Sequence, residues 1–184
     1  MRYLVLILAL SIAACGGSST SGVTTADVQR LNTLSQNVSS AVGTYGTQAA
    51  TMTDSTSCNG AEITYDSHIR PMVSEIQGMG TAMDDKMGSL NHTSDADMEC
   101  GANAMMAELD HHKTVACASA TDMAPNKTEA QQHIANMTQW ANHEMVRSDG
   151  MGSTMGMEMG GMGGGGITTG HCAHNPNGSY TMHP

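Results

Sequence analysis

The recurrence of one helix-start pattern constrains the fold of this chain more than any other feature. At four places a residue of the N-cap type stands three positions before an acid: Thr24 and Asp27, Asn59 and Glu62, Ser94 and Asp97, and Asn126 and Glu129. The first side chain can accept hydrogen bonds from free backbone N–H groups, and the acid complements the positive end of the helix dipole. Apolar residues spaced three and four apart follow each start, without strand-like alternation. The pattern therefore predicts four amphipathic helices.

The connections between these segments favour a simple arrangement of the helices. They fall near residues 53–59, 91–94 and 119–126, and connections this short join antiparallel neighbours. We therefore predict an all-α protein, an up-down-up-down four-helix bundle over residues 24–149. The chain has no Phe and 18 Met, which indicates that something other than ordinary core building shaped the sequence. A ladder on the second helix, Met72, Met79, Met83 and Met87, is interpreted as core filling, because Met adapts to irregular gaps.

The cysteines offer a test of this topology. Cys58 precedes the second helix and Cys117 ends the third, so antiparallel packing brings them to the same end of the bundle. Cys100 lies at the opposite end, where the chain leaves the fourth helix towards Cys172. We therefore predict the disulfides Cys58–Cys117 and Cys100–Cys172. Four cysteines allow three pairings, and the other two stay open at this point.

The N-terminal residues have the layout of an export signal. Arg2 is followed by an apolar run that is too short to span a bilayer, and small residues precede Cys15. Ile12-Ala13-Ala14-Cys15 resembles the lipobox of bacterial lipoproteins. That resemblance implies a signal peptide over residues 1–14 and an acylated Cys15 that holds the protein on a lipid bilayer. The alternative is an ordinary cleaved signal in which Cys15 is incidental.

The lipoprotein interpretation also has consequences for location and partners. Gly16, rather than Asp, follows the cysteine, and in the lipoprotein family this points to the outer membrane of a Gram-negative cell envelope. Residues 15–23 are rich in Ser and Gly and are expected to form a flexible tether. The formal net charge of −10 argues against nucleic acid as a partner.

The C-terminal segment, residues 150–184, changes composition abruptly and is expected to be disordered. Its candidate metal ligands are Met151, Met155, Met157, Met159, Met162, His171, His174, Met182 and His183. Thioether sulfurs favour Cu(I) and Ag(I), and imidazole also accepts Cu(II), Zn or Ni. The Met-x-Met spacing is similar to the Met-rich segments of bacterial periplasmic copper-handling proteins. The alternative is a Gly-rich surface tail whose Met residues are tolerated or serve as oxidation sites.

The bundle offers a second, weaker candidate metal site. Because the last turn is centred near residue 122, His112 and His133 should lie level across the hairpin of helices, with Tyr45 and His68 at a comparable height. The candidate ligands are His68, Glu108, His112, His133 and Met137. The alternative is that Pro71 only kinks the second helix and that these histidines lie at the surface or are hydrogen-bonded in the core.

Several other functions find no support in the residues. Glu108-x-x-His111 matches one element of ferritin-like di-iron bundles, but the remaining ligands of that site are missing. No Cys-x-x-Cys-His motif occurs, which excludes a c-type haem, and no nucleophile–base pair indicates an enzyme. We therefore expect a non-enzymatic lipoprotein that binds copper or silver ions. The alternatives are a structural lipoprotein that docks an envelope protein and, third, a redox protein that holds haem or a metal.

Overall fold

The computed structural model describes residues 23–87, 92–154 and 171–183. Four helices make up the body of the protein, α1 (Thr25–Thr51), α2 (Ser55–Met87), α3 (His92–Val115) and α4 (Met123–Thr154). Two strands follow, β1 (His171–His174) and β2 (Tyr180–His183). The signal segment, Cys15, most of the tether, residues 155–170 and Pro184 lie outside the described residues.

The predicted up-down-up-down bundle is confirmed by pairs of contacts that run in opposite directions along neighbouring helices. Between α1 and α2, Arg30 pairs with Glu75 and Tyr45 with Glu62. Between α2 and α3, Gln77 bonds Asn103 and Arg70 bonds Asp110. Between α3 and α4, Glu108 bonds His133 and Glu129 bonds His112. α4 also packs along α1, so each helix has two antiparallel neighbours.

The helix starts agree with the sequence pattern at α1 and differ elsewhere. Thr24 and Asp27 form a reciprocal capping box, with the Asp27 N–H donating to Thr24 Oγ1 at 3.2 Å. α2 begins earlier than predicted, because Asp54 and Ser57 form the capping pair, and the Ser57 N–H donates to Asp54 Oδ1 at 2.7 Å. α3 begins two residues before Ser94.

α4 also begins earlier than predicted, because Asp122 caps it. Asp122 Oδ1 accepts from the Ala124 N–H at 2.9 Å. Asn126, the predicted cap, instead closes the preceding loop by bonding both the N–H and the carbonyl of Ser119, at 3.0 and 2.8 Å. Asp122 therefore caps α4, while the side chain of Asn126 is used to close the loop before the helix.

Methionine and tyrosine replace phenylalanine in the core. Met98, Met105, Met137 and Tyr45 are almost completely buried. Of the predicted ladder on α2, Met83 is buried and Met72 and Met79 pack at the edge of the core, while the side chain of Met87 lies outside the described part. Pro71 lies within α2, as expected.

Both predicted disulfides are present. Cys58 bonds Cys117 and Cys100 bonds Cys172, each with Cα atoms 5.8 Å apart. The first joins the start of α2 to the loop that follows α3, and the second joins α3 to β1. The sequence argument from antiparallel ends is therefore confirmed.

The expectation of disorder over residues 150–184 is corrected at both flanks of that segment. α4 continues to Thr154, because Met151 packs into the core with 6% exposure and offsets the cost of the helix-end glycines. Residues 171–183 form an antiparallel hairpin that contacts α3. A lone two-stranded hairpin is marginal in water, and here the bond from Cys172 to Cys100 holds it on the bundle.

The turn of this hairpin follows from its residues. Asn175 accepts from the Gly178 N–H at 2.9 Å, and Gly178 has a φ of 84°, a backbone region that glycine enters without strain. Among the helices of the described residues, none is both long and apolar enough to cross a membrane.

Candidate functional site

A buried layer of aromatic and acidic side chains lies towards the end of the bundle that carries the Cys58–Cys117 bond. We call it the Tyr–His layer, and its members are Tyr45, Glu62, Tyr65, Glu108, His112, Glu129 and His133. The two histidine rings stack with centroids 3.7 Å apart and planes 7° apart. The two tyrosine rings stack beside them at 4.3 Å. Each tyrosine reaches the histidine on the diagonally opposite helix, so the layer ties all four helices together.

Both ring nitrogens of His112 face carboxylates. Nδ1 donates to Glu129 at 2.8 Å, and Nε2 donates to Glu62 at 2.8 Å. The Tyr45 hydroxyl also donates to Glu62, and it lies 3.2 Å from His112 Nε2. Burial alone would lower the pKa of His112, but the hydrogen bonds and charges of Glu129 and Glu62 outweigh it and raise the pKa to about 9. His112 is therefore an imidazolium at neutral pH.

His133 is the neutral member of the stacked pair. Its Nδ1–H donates to Glu108 at 3.0 Å, and its Nε2 accepts from the Tyr65 hydroxyl at 2.9 Å. Burial lowers the pKa of His133, the adjacent charge of His112 lowers it further, and the hydrogen bond to Glu108 only partly opposes them. Asn136 donates to the second oxygen of Glu108 at 3.1 Å and holds that carboxylate in place.

The structure brings together only part of the ligand set predicted for a metal site in the bundle. Glu108, His112 and His133 do come together, but His68 is exposed and bonds Thr64 O of its own helix at 2.8 Å. Met137 is completely buried in the core. Every ring nitrogen of His112 and His133 has a hydrogen-bond partner in the layer. Within the three described ranges, no three His, Cys, Asp or Glu side chains are grouped so that they could hold one metal ion.

Sequence reasoning missed Glu62 and Glu129, which take the two N–H groups of His112. A signal for Glu129 was present, because Glu129 and His133 stand four apart, as do Glu108 and His112. Residues four apart lie on one helix face, so two equivalent pairs face each other across α3 and α4. Each glutamate then bonds the histidine of the other helix, which the spacing alone did not indicate.

A groove leads from the surface to this layer. It lies between α2 and α3, has a cavity volume of about 320 Å³, and reaches Glu62, Tyr65 and His112 at its inner wall. Ile63, the large hydrophobic residue with 72% exposure, stands at its edge. A second groove of about 300 Å³ lies between α1 and α2 and reaches Tyr45 and Tyr65.

A second polar cluster, which we call the Asp97 cluster, holds the hairpin on the bundle. Asp97 on α3 is buried to 4% exposure. Its Oδ1 accepts from the Cys172 N–H at 2.6 Å, and its Oδ2 accepts from His171 Nδ1 at 3.2 Å. Arg147 of α4 forms an ion pair with the same carboxylate. One buried charge thus connects α3, α4 and β1.

Glu144 lies at this end of the bundle and has an unusual environment. It is completely buried, and neither carboxyl oxygen has a hydrogen-bond partner. Burial raises its pKa well above the ordinary value, and the charge of Asp97 acts in the same direction. The opposite residue on α3 is Gly101, where a Cβ would overlap Glu144 Oε1 and crowd His143. Burial thus favours the neutral form of this carboxyl group, which fits against α3 because Gly101 has no side chain.

The hairpin separates the ligands predicted for the C-terminal segment. His171 and His183 are directly opposed and exposed. The next pair, Cys172 and Met182, packs towards the bundle on the other face. On that face His174 also stacks on Tyr180, with centroids 4.7 Å apart. The prediction of Met151 as a ligand in a disordered tail is corrected, because this side chain is buried in the core. Met155, Met157, Met159 and Met162 lie outside the described residues.

Comparison with known proteins does not add a family to this picture: no family model, no curated protein and no solved structure matches the chain.

Proposed function

We propose that the protein binds Cu(I) or Ag(I) at the cell envelope through the Met run of its C-terminal segment, Met155, Met157, Met159 and Met162. One structural observation carries the proposal. Both flanks of this run are held at the same end of the bundle. On one side Met151 is buried at the end of α4, and on the other Cys172 is bonded to Cys100. Arg147, one turn before Met151, contacts His171 and Asp97 of the hairpin attachment.

Holding the two flanks together supports soft-metal binding by an entropic argument. Gathering several thioether sulfurs on one ion orders a chain segment, and this ordering costs conformational entropy. A segment closed at both ends has already lost part of that freedom. Soft, neutral thioethers select Cu(I) and Ag(I) over hard cations, and the net charge of −10 attracts cations to the surface.

The proposed attachment through an acylated Cys15 is compatible with this arrangement. Asn32, early in α1, bonds Ser148 and Asp149 of α4, at 3.1 and 2.8 Å. The chain that leads from Cys15 therefore enters the bundle at the end where α4 leads into the Met run. In the proposed lipoprotein, the start of α1 and the end of α4 lie on the anchored side, and the protein buffers or hands over metal close to the membrane. No turnover is required.

A competition titration tests the metal proposal. The probe is Cu(I) supplied by a colorimetric chelator, without thiol reductants, and the protein is the chain with Cys15→Ser so that it stays in solution. We expect tight binding, lost when Met155, Met157, Met159 and Met162 are all replaced by Leu. The matched control replaces Met72 and Met79, at the edge of the core, by Leu and should bind as the parent does. Equal binding by the parent and the fourfold variant would reject the Met run as the ligand.

A complete lack of Cu(I) binding would reject the metal proposal and favour the alternative, an envelope lipoprotein that docks a partner protein. The anchor is tested separately by incorporation of labelled fatty acid in a bacterial host. We expect labelling of the wild type and none in the Cys15→Ser variant. Labelling that persists in that variant would reject lipidation at Cys15.

A further inference from the structure

We infer that His171 and His183 form a second metal site, an imidazole pair for borderline divalent ions, with Cu(II) as the preferred one. This inference rests on the proposed metal-binding function and extends it to a different ion and a different set of ligands. The pair belongs to the hairpin and needs no sulfur from the Met run. Three features support this site: the register of the hairpin, the contact of Asp97 with His171, and a ring nitrogen on each histidine without a partner among the described residues.

The register of the hairpin brings the two imidazoles together. His171 and His183 are directly opposed in the antiparallel ladder, so their side chains point to the same face. Directly opposed residues have Cβ atoms about 4.5–5.5 Å apart, a spacing from which two imidazoles reach one ion. The side chain of His171 is 66% exposed, and His183 is also exposed. The pair is therefore open to an ion from solution.

Asp97 orients the ring of His171 for this task. Its carboxylate is 3% exposed and lies 3.2 Å from His171 Nδ1. Arg147 also lies 3.4 Å from Nδ1, but it already pairs with Asp97, so the proton is assigned to Nδ1 and donated to the carboxylate. The other nitrogen, Nε2, then carries the lone pair and has no partner among the described residues. A carboxylate behind the ring is the usual support of a metal-binding histidine, since it sets the tautomer and raises the basicity of the ligand.

His183 has a free nitrogen as well. Its Nε2 lies 3.2 Å from the Thr181 hydroxyl, on the same face of the hairpin, and its Nδ1 faces no partner in the described part of the chain. One ion can therefore contact Nε2 of His171 and Nδ1 of His183, with water in the remaining positions.

The chemistry of the pair favours a particular class of ion. Imidazole suits Cu, Zn and Ni, and among the divalent ions of the first row affinity is greatest for Cu(II). The cysteine on the opposite face, Cys172, is oxidised in its bond with Cys100, so it supplies no thiolate. That bond and the contact of Asp97 with the Cys172 N–H hold β1 in place, which lowers the cost of ordering the ligands on binding.

Electron paramagnetic resonance and titration with Cu(II) test the inference at about pH 7.5, because a nitrogen that binds a metal must be deprotonated. The protein is the full chain with Cys15→Ser and intact disulfides. We expect one Cu(II) with hyperfine structure from two nitrogen nuclei, and His171→Ala or His183→Ala should weaken binding at least about tenfold. The matched controls, His68→Ala and His111→Ala, remove exposed histidines outside the hairpin and should bind Cu(II) as the parent does.

The support from Asp97 is measured by Asp97→Asn, which should weaken Cu(II) binding by about 10–100-fold. Because Asp97 also holds the hairpin, thermal unfolding of each variant is recorded, and His183→Ala, which changes only an exposed side chain, keeps the inference testable if Asp97→Asn unfolds. Unchanged Cu(II) binding in His183→Ala, or coupling to one nitrogen only, would overturn the paired site.

The two metal proposals fail independently of one another. The fourfold Met→Leu variant should lose Cu(I) and keep Cu(II), while the His171→Ala/His183→Ala double variant should lose Cu(II) and keep Cu(I). Cu(I) binding without any Cu(II) binding would reject the imidazole pair and leave the proposed function in place. Cu(II) binding without Cu(I) binding would do the reverse.

Discussion

The imidazole of His112 lies flat against that of His133, with ring centroids 3.7 Å apart. One ring carries a positive charge at neutral pH and the other does not, although both are buried. The difference comes from their partners, since His112 donates to two carboxylates and His133 donates to one and accepts from a tyrosine. This pair gives the bundle a defined response to pH, and its two sides can be tested separately.

On the alkaline side, Glu129→Gln should lower the pKa of His112 from about 9 towards its ordinary value of 6.5. The folded-state pKa of His112 is raised, so its contribution to stability is complete below pH 6.5 and disappears as the pH rises through about 9. The NMR shifts of the imidazole carbon-bound protons report the titration directly. A pKa for His112 that does not change in Glu129→Gln would contradict the assigned role of that carboxylate.

On the acid side, we expect the protein to lose stability as the pH falls below 6.5. The pKa of His133 is lowered in the folded state, so its contribution is present above 6.5 and is lost as the pH falls through the folded value. His133→Gln keeps a donor for Glu108 but cannot ionise, and its melting temperature should fall less steeply between about pH 7 and 5. The control is His68→Gln on the exposed face of α2, which should keep the slope of the wild type. Parallel slopes for all three proteins would refute the prediction.

A third prediction concerns the buried acid of α4. The pKa of Glu144 is raised, so its contribution to stability is greatest below its ordinary pKa of 4.5 and declines as the pH rises, because only the unfolded chain ionises freely. The melting temperature of Glu144→Gln minus that of the wild type should therefore be higher at about pH 8 than at about pH 4. Glu75→Gln serves as a control of opposite sign, since the hydrogen bond from Arg30 lowers the pKa of this exposed carboxyl and its loss should cost more at the higher pH. A gain for Glu144→Gln that is the same at both pH values would count against a neutral buried acid.

The fit between Gly101 and Glu144 predicts non-additive substitutions. Gly101→Ala places a methyl group against Glu144 Oε1 and should cost about 1–3 kcal/mol of unfolding free energy from overpacking. In a Glu144→Ala background the same change should cost much less, because the carboxyl group that it displaces is gone. Denaturant unfolding of the two single variants and the double variant gives the coupling free energy. A coupling near zero would mean that His143, which the methyl group also crowds, sets the need for glycine in place of Glu144.

The Cys58–Cys117 bond should contribute about 4 kcal/mol to the free energy of unfolding, because it closes a loop with a sequence separation of 59. Urea unfolding of Cys58→Ser/Cys117→Ser against the wild type measures it, with both proteins kept oxidised. The control is the exposed variant Ile63→Ser in the same region, which should change the unfolding free energy little. A loss of less than about 1 kcal/mol would show that the helices already hold these ends together.

The sequence was enough to predict the bundle, because helix period and short connections act through neighbours along the chain. It also predicted both disulfides, since antiparallel packing leaves few ways to bring Cys58 and Cys117 to one end. The level of His112 and His133 followed from counting residues on either side of one turn. These predictions succeeded because they depend only on which residues of antiparallel helices lie at the same height, and the amphipathic pattern with short connections largely determines this.

To predict the hydrogen-bond partners of the histidines, the height of each residue along its helix was not enough. His68 lies at a comparable height to His112, but a rotation about the axis of α2 places it outside and Tyr65 inside. The hairpin was missed because its stability comes from Asp97 and Cys100, which lie far from it in sequence, and not from its own composition. The early start of α4 was missed for a related reason, since Asn126 was needed by the loop and Asp122 was free to cap.

Both disulfides have one half-cystine in or next to α3, at Cys100 and Cys117, and within the described residues α1 contains no cysteine. Under tension applied from the N-terminal side, α1 is therefore the helix that can peel away first. The covalent links continue to hold α2, α3 and the hairpin to one another after α1 has left. A chain pulled by its first residues would lengthen in two steps, and the His171–His183 face would survive the first.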